Sequence, residues 1–473
     1  MSAKDPTARW ILFFALLIGL DRFWRLSRWS LWFDETATWT DAQVGPGQSE
    51  IGHPLGYRAI AMTVDWLGGV PDEFALRFLP ALAGWLAVPL TYWAFKPLAG
   101  RRRAAAAALL VAASSWHVYW SQNARFYTMA QDVSLLGAGL LLRGLWGRKT
   151  VLSALGFACA GAAALFHPSA GLVLPALAVA PLLLRLVRGL RPLPDVRVAI
   201  GILLLFAVAL LVRYDWAWRT IATYVYNKPQ SSPVHLLLTT GFYVTPLLCV
   251  GALAGTILAC LRRDARHVFV GAVAILVLAA ALLMSLFARI SAQYVFVVLP
   301  WIALLACVPL DASEEGQEAP EARAPLGYLR AAWLAVLVLP ALATSVLYFT
   351  VRAGERPRWR EAYEYVWTQR EEGDLVLGME ASVGEYYLNP SATDLRHPTH
   401  VGWLDSWRAR EPFVWAEHAR RTWLILNPEQ LYDWNPDDAA RMRRFLAEEC
   451  RLVMCYPLYV ESRDLSVWVY VRG

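Results

Sequence analysis

Apolar stretches recur along the chain near residues 9–26, 74–96, 104–121, 127–146, 150–166, 168–187, 198–213, 235–261, 267–288, 293–310 and 331–351. A helix needs roughly 17 to 25 apolar residues to cross the hydrocarbon core of a bilayer. The pattern predicts about eleven transmembrane helices, the fifth and seventh of them short. Polar connections separate these stretches, and two are long enough to be elements in their own right. The first, about 27–73, contains Leu55, Ala59, Met62 and Trp66 at helical spacing on one narrow stripe. That spacing predicts a short helix lying along the membrane surface. The second, about 214–234, is rich in Trp and Tyr and carries Lys228. The acidic connection 311–325, with its Pro, Ala and Gly, has the composition of a disordered tether.

Beyond residue 351 the period changes. Arg360 to Arg370 reads as a helix, 374–377, 422–426 and 465–471 as strands, and Pro436 to Cys450 as a further helix. The organisation is therefore a transmembrane domain over 1–351, including the first loop 27–73, followed by a soluble α/β domain over 352–473. No metal-ligand spacing, phosphate-cradling glycine loop or Gly-x-Ser-x-Gly element is visible in the tail, which reads as a support or acceptor-docking domain.

Composition supports the same class: 57% of the 473 residues are hydrophobic and only 17% charged, which excludes an ordinary soluble protein. Basic residues concentrate in alternate connections, among them Arg101, Arg102, Arg103, Arg188, Arg191, Arg262, Arg263 and Arg266. By the positive-inside rule these face the cytoplasm. The amino terminus is then cytoplasmic, the first helix an uncleaved anchor, and the tail extracytoplasmic. The expected location is a bacterial cytoplasmic membrane. Because topology explains the arginines, the net charge of +6 gives no reason to expect a nucleic-acid partner. Cys450 and Cys455 share the outside tail, where a disulfide can form. Their spacing on one strand would require a bend between them.

Polar clusters gather on the outside ends of the helices. Asp34-Glu35 lies in an aromatic loop with Trp29, Trp32, Phe33 and Trp39. His53 and Tyr57 enter the surface helix. Ser121-Gln122-Asn123-Ala124-Arg125-Phe126-Tyr127 joins the third and fourth helices, His167-Pro168 the fifth and sixth, and Arg289 to Tyr294 the ninth and tenth. For any one cluster a hydrated cap is an even alternative. Together they suggest a cavity open to the outer leaflet. An arginine offers a planar fork that suits phosphate oxygens. A carboxylate can take a proton as general base. These are the parts needed to transfer a group from an anionic lipid carrier.

In order and spacing these segments resemble the GT-C superfamily of integral-membrane glycosyltransferases. The bacterial branch related to protein O-mannosyltransferases and the lipid A aminoarabinose transferase is the best match. The resemblance rests on the aromatic Asp-Glu loop, His53-Pro54-Leu55-Gly56-Tyr57, the Ser121 to Tyr127 segment and the Tyr294 to Pro300 stretch. In the tail it rests on Arg358-Trp359-Arg360-Glu361-Ala362, Gly373-Asp374 and Tyr386-Tyr387-Leu388. It implies transfer of a sugar from a polyprenyl-phosphate donor to a protein, lipid or polysaccharide acceptor at the outer face, with inversion. Carried over, Asp34 would be the catalytic base, with Glu35 beside it. Arg125 and Arg289 would bind the donor phosphate, a role also open to Lys228. His53, Tyr57, Gln122, Tyr127, His167 and Tyr294 would line the substrate cavity. No cofactor is expected, and a divalent metal stays open. Two departures are visible: Leu55 and Gly56 stand where Pro and Leu are more common, and Arg289 is separated from Tyr294. The competing readings are a lipid-linked glycan polymerase or ligase and a lipid or glycan transporter.

Overall fold

A computed structural model of the chain describes residues 5–44, 54–215, 218, 219, 222, 232–310, 320–388, 401–404, 419–461 and 463–473. All eleven apolar stretches fall on helical chain. Five described helices are long and apolar enough to span a membrane: Glu73–Ala113, Pro168–Leu186, Ala265–Ser285, Ala292–Leu310 and Gly327–Phe349. The protein is a helical membrane protein with a small sheet domain at its carboxyl end.

Several stretches are interrupted where the sequence pattern runs on. Glu73–Ala113 joins two expected segments and breaks at Gly100, whose φ of 78° suits glycine alone. A new helix, Ser115–Ser121, then starts where Ser114 accepts from the His117 amide. The expected single helix 235–261 is a pair, Pro233–Val244 and Pro246–Leu261, bent by 97°. The bend falls at Thr245, with φ 79°, immediately before a proline that cannot continue the first helix.

Compactness divides the chain into two units. The first comprises Met1–Trp24, Ser49–Ala59 and Phe78–Ser345; the second comprises Arg25–Gln48, Ile60–Arg77 and Val346–Gly473. The division therefore does not follow the linear order 1–351 and 352–473, because segments of the first loop group with the tail.

Small residues permit close helix contacts in the first unit. A Cβ on Gly156 would stand 2.6 Å from the Leu141 amide nitrogen, and one on Gly137 would stand 2.8 Å from the Gly156 carbonyl oxygen. Helices Tyr127–Gly147 and Thr150–Ala163 thus approach backbone to backbone, as small residues allow within a bilayer.

In the second unit the tail forms a five-stranded mixed sheet. Strand β1 (Leu375–Gly378) lies between β2 (Val401–Trp403) and β3 (Thr422–Leu426), both parallel to it; β7 (Val467–Arg472) runs antiparallel to β3, and β4 (Arg451–Tyr456) borders β7. Two short strands, β5 (Tyr459–Val460) and β6 (Arg463–Asp464), make a separate hairpin. All five residues of β3 are buried, so both of its faces are covered. Trp359, Tyr363 and Val366 of helix Trp359–Gln369, and Met442 of helix Pro436–Glu448, share its core. The helices and central strands agree with the sequence reading, while β2, β4 and helix Ala381–Leu388 are additions to it. Cys450 and Cys455 are free thiols. Five residues of extended chain span roughly 16 Å, well beyond disulfide reach.

The segment expected as a short helix is one, Pro54–Trp66. Its predicted stripe is exposed, with Met62 57% and Trp66 76% accessible, whereas Ile60, Ala61 and Val64 are buried. The exposed stripe is therefore an apolar face beside the packed one.

Candidate functional site

Asp34 and Glu35 do not lie in an open loop. They occupy the first turn of helix Phe33–Val44, where negative charge complements the helix dipole. Consecutive helical positions point in different directions, and the two carboxylates meet different surroundings. Asp34 is half-buried. Glu35 is fully buried and held by two arginines. Arg77 Nε donates to Oε1 at 2.7 Å, Arg77 Nη2 to Oε2 at 2.7 Å, and Arg356 Nη1 to Oε2 at 2.6 Å. Arg77 also donates to the carbonyls of Leu26, Trp29 and Ser30. A carboxylate engaged on both oxygens by guanidiniums is a poor proton acceptor, because each cation favours its ionised form. Glu35, expected beside Asp34 as a catalytic group, is instead the anchor of this turn.

A second anchor lies alongside. The Tyr387 hydroxyl donates to Glu73 at 3.0 Å and accepts from the Leu31 amide at 2.9 Å, while Arg360 pairs with Glu73. Burial, and then the Glu73 charge, push the Tyr387 phenol upward, so it stays a neutral donor. Thr36 Oγ1 donates to Ser382 Oγ at 2.8 Å, and Trp39 packs edge-on against Tyr386 at 5.3 Å.

Helix Ala381–Leu388 is preceded by Glu380, a residue the sequence reading did not single out. It follows the carboxyl end of β1, where ligand sites of parallel sheets concentrate. That position is the local signal that could have found it. Its Oε1 accepts from Gln430 at 3.1 Å, and its buried Oε2 has no hydrogen-bond partner among the described residues. Burial raises its pKa to about 7; the Gln430 hydrogen bond opposes that rise, and the Asp34 charge adds to it. Two carboxyl groups in unlike environments are thus within electrostatic reach of each other, an arrangement that separates acid and base roles.

The first unit gathers a different set. Arg125 is 7% exposed, donates to the Tyr57 hydroxyl at 3.0 Å, and lies 4.7 Å from the Phe126 ring centre. Phe126 packs edge-on against Tyr57 at 4.8 Å. Gly56 permits this: a Cβ there would stand 2.4 Å from Phe126 Cγ. The departure noted at this position thus has a packing cause. Tyr127 lies 4.3 Å from the His167 ring, and His167 lies 5.7 Å from Tyr294. His167 Nδ1 pairs with Ser169 Oγ at 2.6 Å, which fixes the ring at the start of the turn Pro168–Leu172. Tyr57, Arg125, Tyr127, His167 and Tyr294 are therefore brought together. Aromatic faces around a guanidinium suit a cation and, beyond it, an anionic group with a sugar.

The remaining expectations fare differently. Gln122 is fully buried, and its amide donates to the Trp24 carbonyl at 2.6 Å and the Arg22 carbonyl at 3.2 Å. It closes the end of the first helix and does not line an open cavity. Arg289 is exposed, between helix Ala265–Ser285 and the turn Ala292–Val298. His53 and Lys228 lie outside the described residues.

Sequence reasoning also missed the partner of His117. The buried guanidinium of Arg22 donates to the Val111 and Ala112 carbonyls and reaches His117 Nδ1 at 3.2 Å. His117 Nε2 meets Gln131 Oε1 at 2.8 Å, while the Gln131 amide donates to the Phe296 carbonyl. Gln131 can then only accept from His117, so Nε2 carries the proton and Nδ1 receives the Arg22 donor. Arg22 is thus a buried tie.

No family model matches the chain, and no curated protein matches it. Solved structures do. ArnT from Cupriavidus metallidurans, bound to undecaprenyl phosphate, matches at 16% identity and a TM-score of 0.56, covering 99% of this chain and 98% of that one. The Archaeoglobus fulgidus oligosaccharyltransferase matches at 11% identity and a TM-score of 0.57, covering 90% and 70%. The archaeal enzyme AglB, in complex with an inhibitory peptide and a dolichol-phosphate, matches at 12% identity and a TM-score of 0.52, covering 89% and 69%. Over nearly its whole length this chain shares the fold of ArnT, and over most of it that of the oligosaccharyltransferase.

Proposed function

We propose that this chain is an integral-membrane glycosyltransferase. It moves a glycosyl group from a polyprenyl-phosphate donor to a lipid, protein or polysaccharide acceptor at the outer face of a bacterial cytoplasmic membrane. The observation that supports the reading most is the end-to-end likeness in fold to a protein captured with undecaprenyl phosphate.

In this reaction the acceptor oxygen attacks the anomeric carbon as the bond from that carbon to the phosphate oxygen breaks, inverting the centre. The acceptor proton passes to Asp34, and the lipid phosphate departs as an anion. Arg125 holds that phosphate, its fork stabilising the charge that grows on the leaving oxygen. Tyr57, Tyr127, His167 and Tyr294 supply faces and hydroxyls for the sugar. Arg289 guides the donor from its exposed position. Glu35, Arg77 and Arg356 hold Asp34 in place.

Purified protein offered a panel of polyprenyl-phosphate sugars should release free lipid phosphate with one of them. Asp34→Asn keeps the shape but cannot accept a proton, so turnover should fall about 10²- to 10⁴-fold while donor binding stays near normal. Arg125→Ala should instead lose donor binding. Near-normal turnover by Asp34→Asn would remove the mechanism.

A further inference from the structure

The first unit contains a cavity of about 440 Å³ that the proposed reaction does not use. Three separate segments build it. Arg103 comes from the helix just past the Gly100 break, Arg191 from the turn before helix Arg197–Val212, and residues 262–267 from the turn into helix Ala265–Ser285. The two turns are stitched together. The Arg191 amide donates to the Arg263 carbonyl, and the Ala265 amide to the Arg191 carbonyl, each at 3.3 Å. Gly189, with φ 86°, makes room for Arg263: a Cβ there would stand 2.9 Å from Nη1.

Five arginines line this cavity against a single carboxylate, Asp264. That carboxylate is already engaged: Oδ1 accepts from the Arg266 amide at 2.9 Å, and Oδ2 meets His267 Nδ1 at 2.5 Å. Arg191, Arg262 and Arg263 are exposed at the mouth. Deeper in, His267 is 2% exposed, and its Nε2 has no hydrogen-bond partner among the described residues; the same holds for the buried Nε of Arg266. Concentrated guanidiniums repel one another, and a buried ring nitrogen without a partner carries a desolvation cost. An anion with several oxygens offsets the repulsion, and it accepts from His267 Nε2 when the ring carries both protons, with Nδ1 donating to Asp264. Helix Ala265–Ser285 also points its positive end at this turn.

We propose that this cavity binds a phosphate group, in a membrane the phosphate of an anionic phospholipid headgroup in the leaflet opposite to the glycosyl-transfer chemistry. Arg262 and Arg263 would grip its oxygens from the mouth, with Arg266 and His267 behind. Basic pockets between transmembrane helices on the cytoplasmic side are suited to such headgroups.

The test uses the full chain purified in a neutral detergent. Native mass spectrometry counts phosphatidylglycerol or phosphatidylcholine retained, and inorganic pyrophosphate is titrated separately by calorimetry. The unmodified protein should retain one phosphatidylglycerol in preference to phosphatidylcholine. Arg262→Gln with Arg263→Gln should weaken retention by about tenfold or more, and the paired lysine substitutions should recover part of it. Gel filtration reports whether each variant is folded. Retention of the lipid without pyrophosphate binding assigns the site to a headgroup, and binding of both assigns it to phosphate from either source. Binding of neither by the unmodified protein, or equal binding by a folded glutamine pair, would overturn the proposal.

Discussion

At the scale of the residue, the most consequential group outside the sequence reading is Glu380. Its folded pKa, near 7, stands above the ordinary carboxyl value of 4.5. The folded protein therefore holds this proton more tightly than the unfolded chain. The stability from that proton is complete below about pH 4.5 and is lost as pH rises through 7. Full ionisation costs roughly 3 kcal/mol. Glu380→Gln keeps the shape and removes the titration. It should raise the melting temperature relative to the unmodified protein at about pH 8.5 and leave it nearly unchanged at about pH 4, where folded and unfolded chains both hold the proton. An equal effect at both values would show that charge at this position is not the cause. Asp34 was legible because an acidic pair among tryptophans stands out. The division of labour between Asp34 and Glu35 was not. It depends on which helical position faces Arg77 and Arg356, and those arginines lie 42 and 321 residues away.

At the scale of the element, hydrophobic runs located the helices well, because burial in lipid or in a helix bundle demands apolar side chains whatever the partners. Their interruptions were less visible. The bend at Thr245 depends on one proline, and the helix Phe33–Val44 has too few apolar positions to announce itself. The tail strands read correctly where they are buried. The edge strand β4, half exposed, carries no such pattern. Within the second unit the buried Glu35 triad makes a sharp prediction. Arg356→Ala leaves Glu35 with one of its two arginines and should cost about 3–5 kcal/mol. Arg472→Ala removes an exposed pair with Glu449 and should cost about 0–1 kcal/mol. Denaturation midpoints compare the two, and limited proteolysis should show residues 25–35 cut faster in the first variant. Equal losses would deny the triad its special role.

At the scale of the whole molecule, the distribution of arginines supports our proposal that the tail lies outside and the 188–191 turn inside. Cys455, exposed on β4, is a native reporter for the tail. In a protein retaining only that cysteine, a membrane-impermeant maleimide should label intact cells. A lone Arg188→Cys reporter should react only after the membrane is opened. Labelling in the reverse pattern would invert the orientation and move the proposed chemistry to the other face.

The engagement of Glu35 also has a meaning in time. A membrane protein is threaded into the bilayer from its amino end, and Glu35 and Arg77 are both present early. Arg356 is made 321 residues after Glu35, and Tyr387, which receives the Leu31 amide, follows later still. Until those residues have been synthesised and have folded, the turn bearing Asp34 lacks half of its fastenings. The carboxylate proposed as the base is thus fully fastened only once the last quarter of the protein has been made.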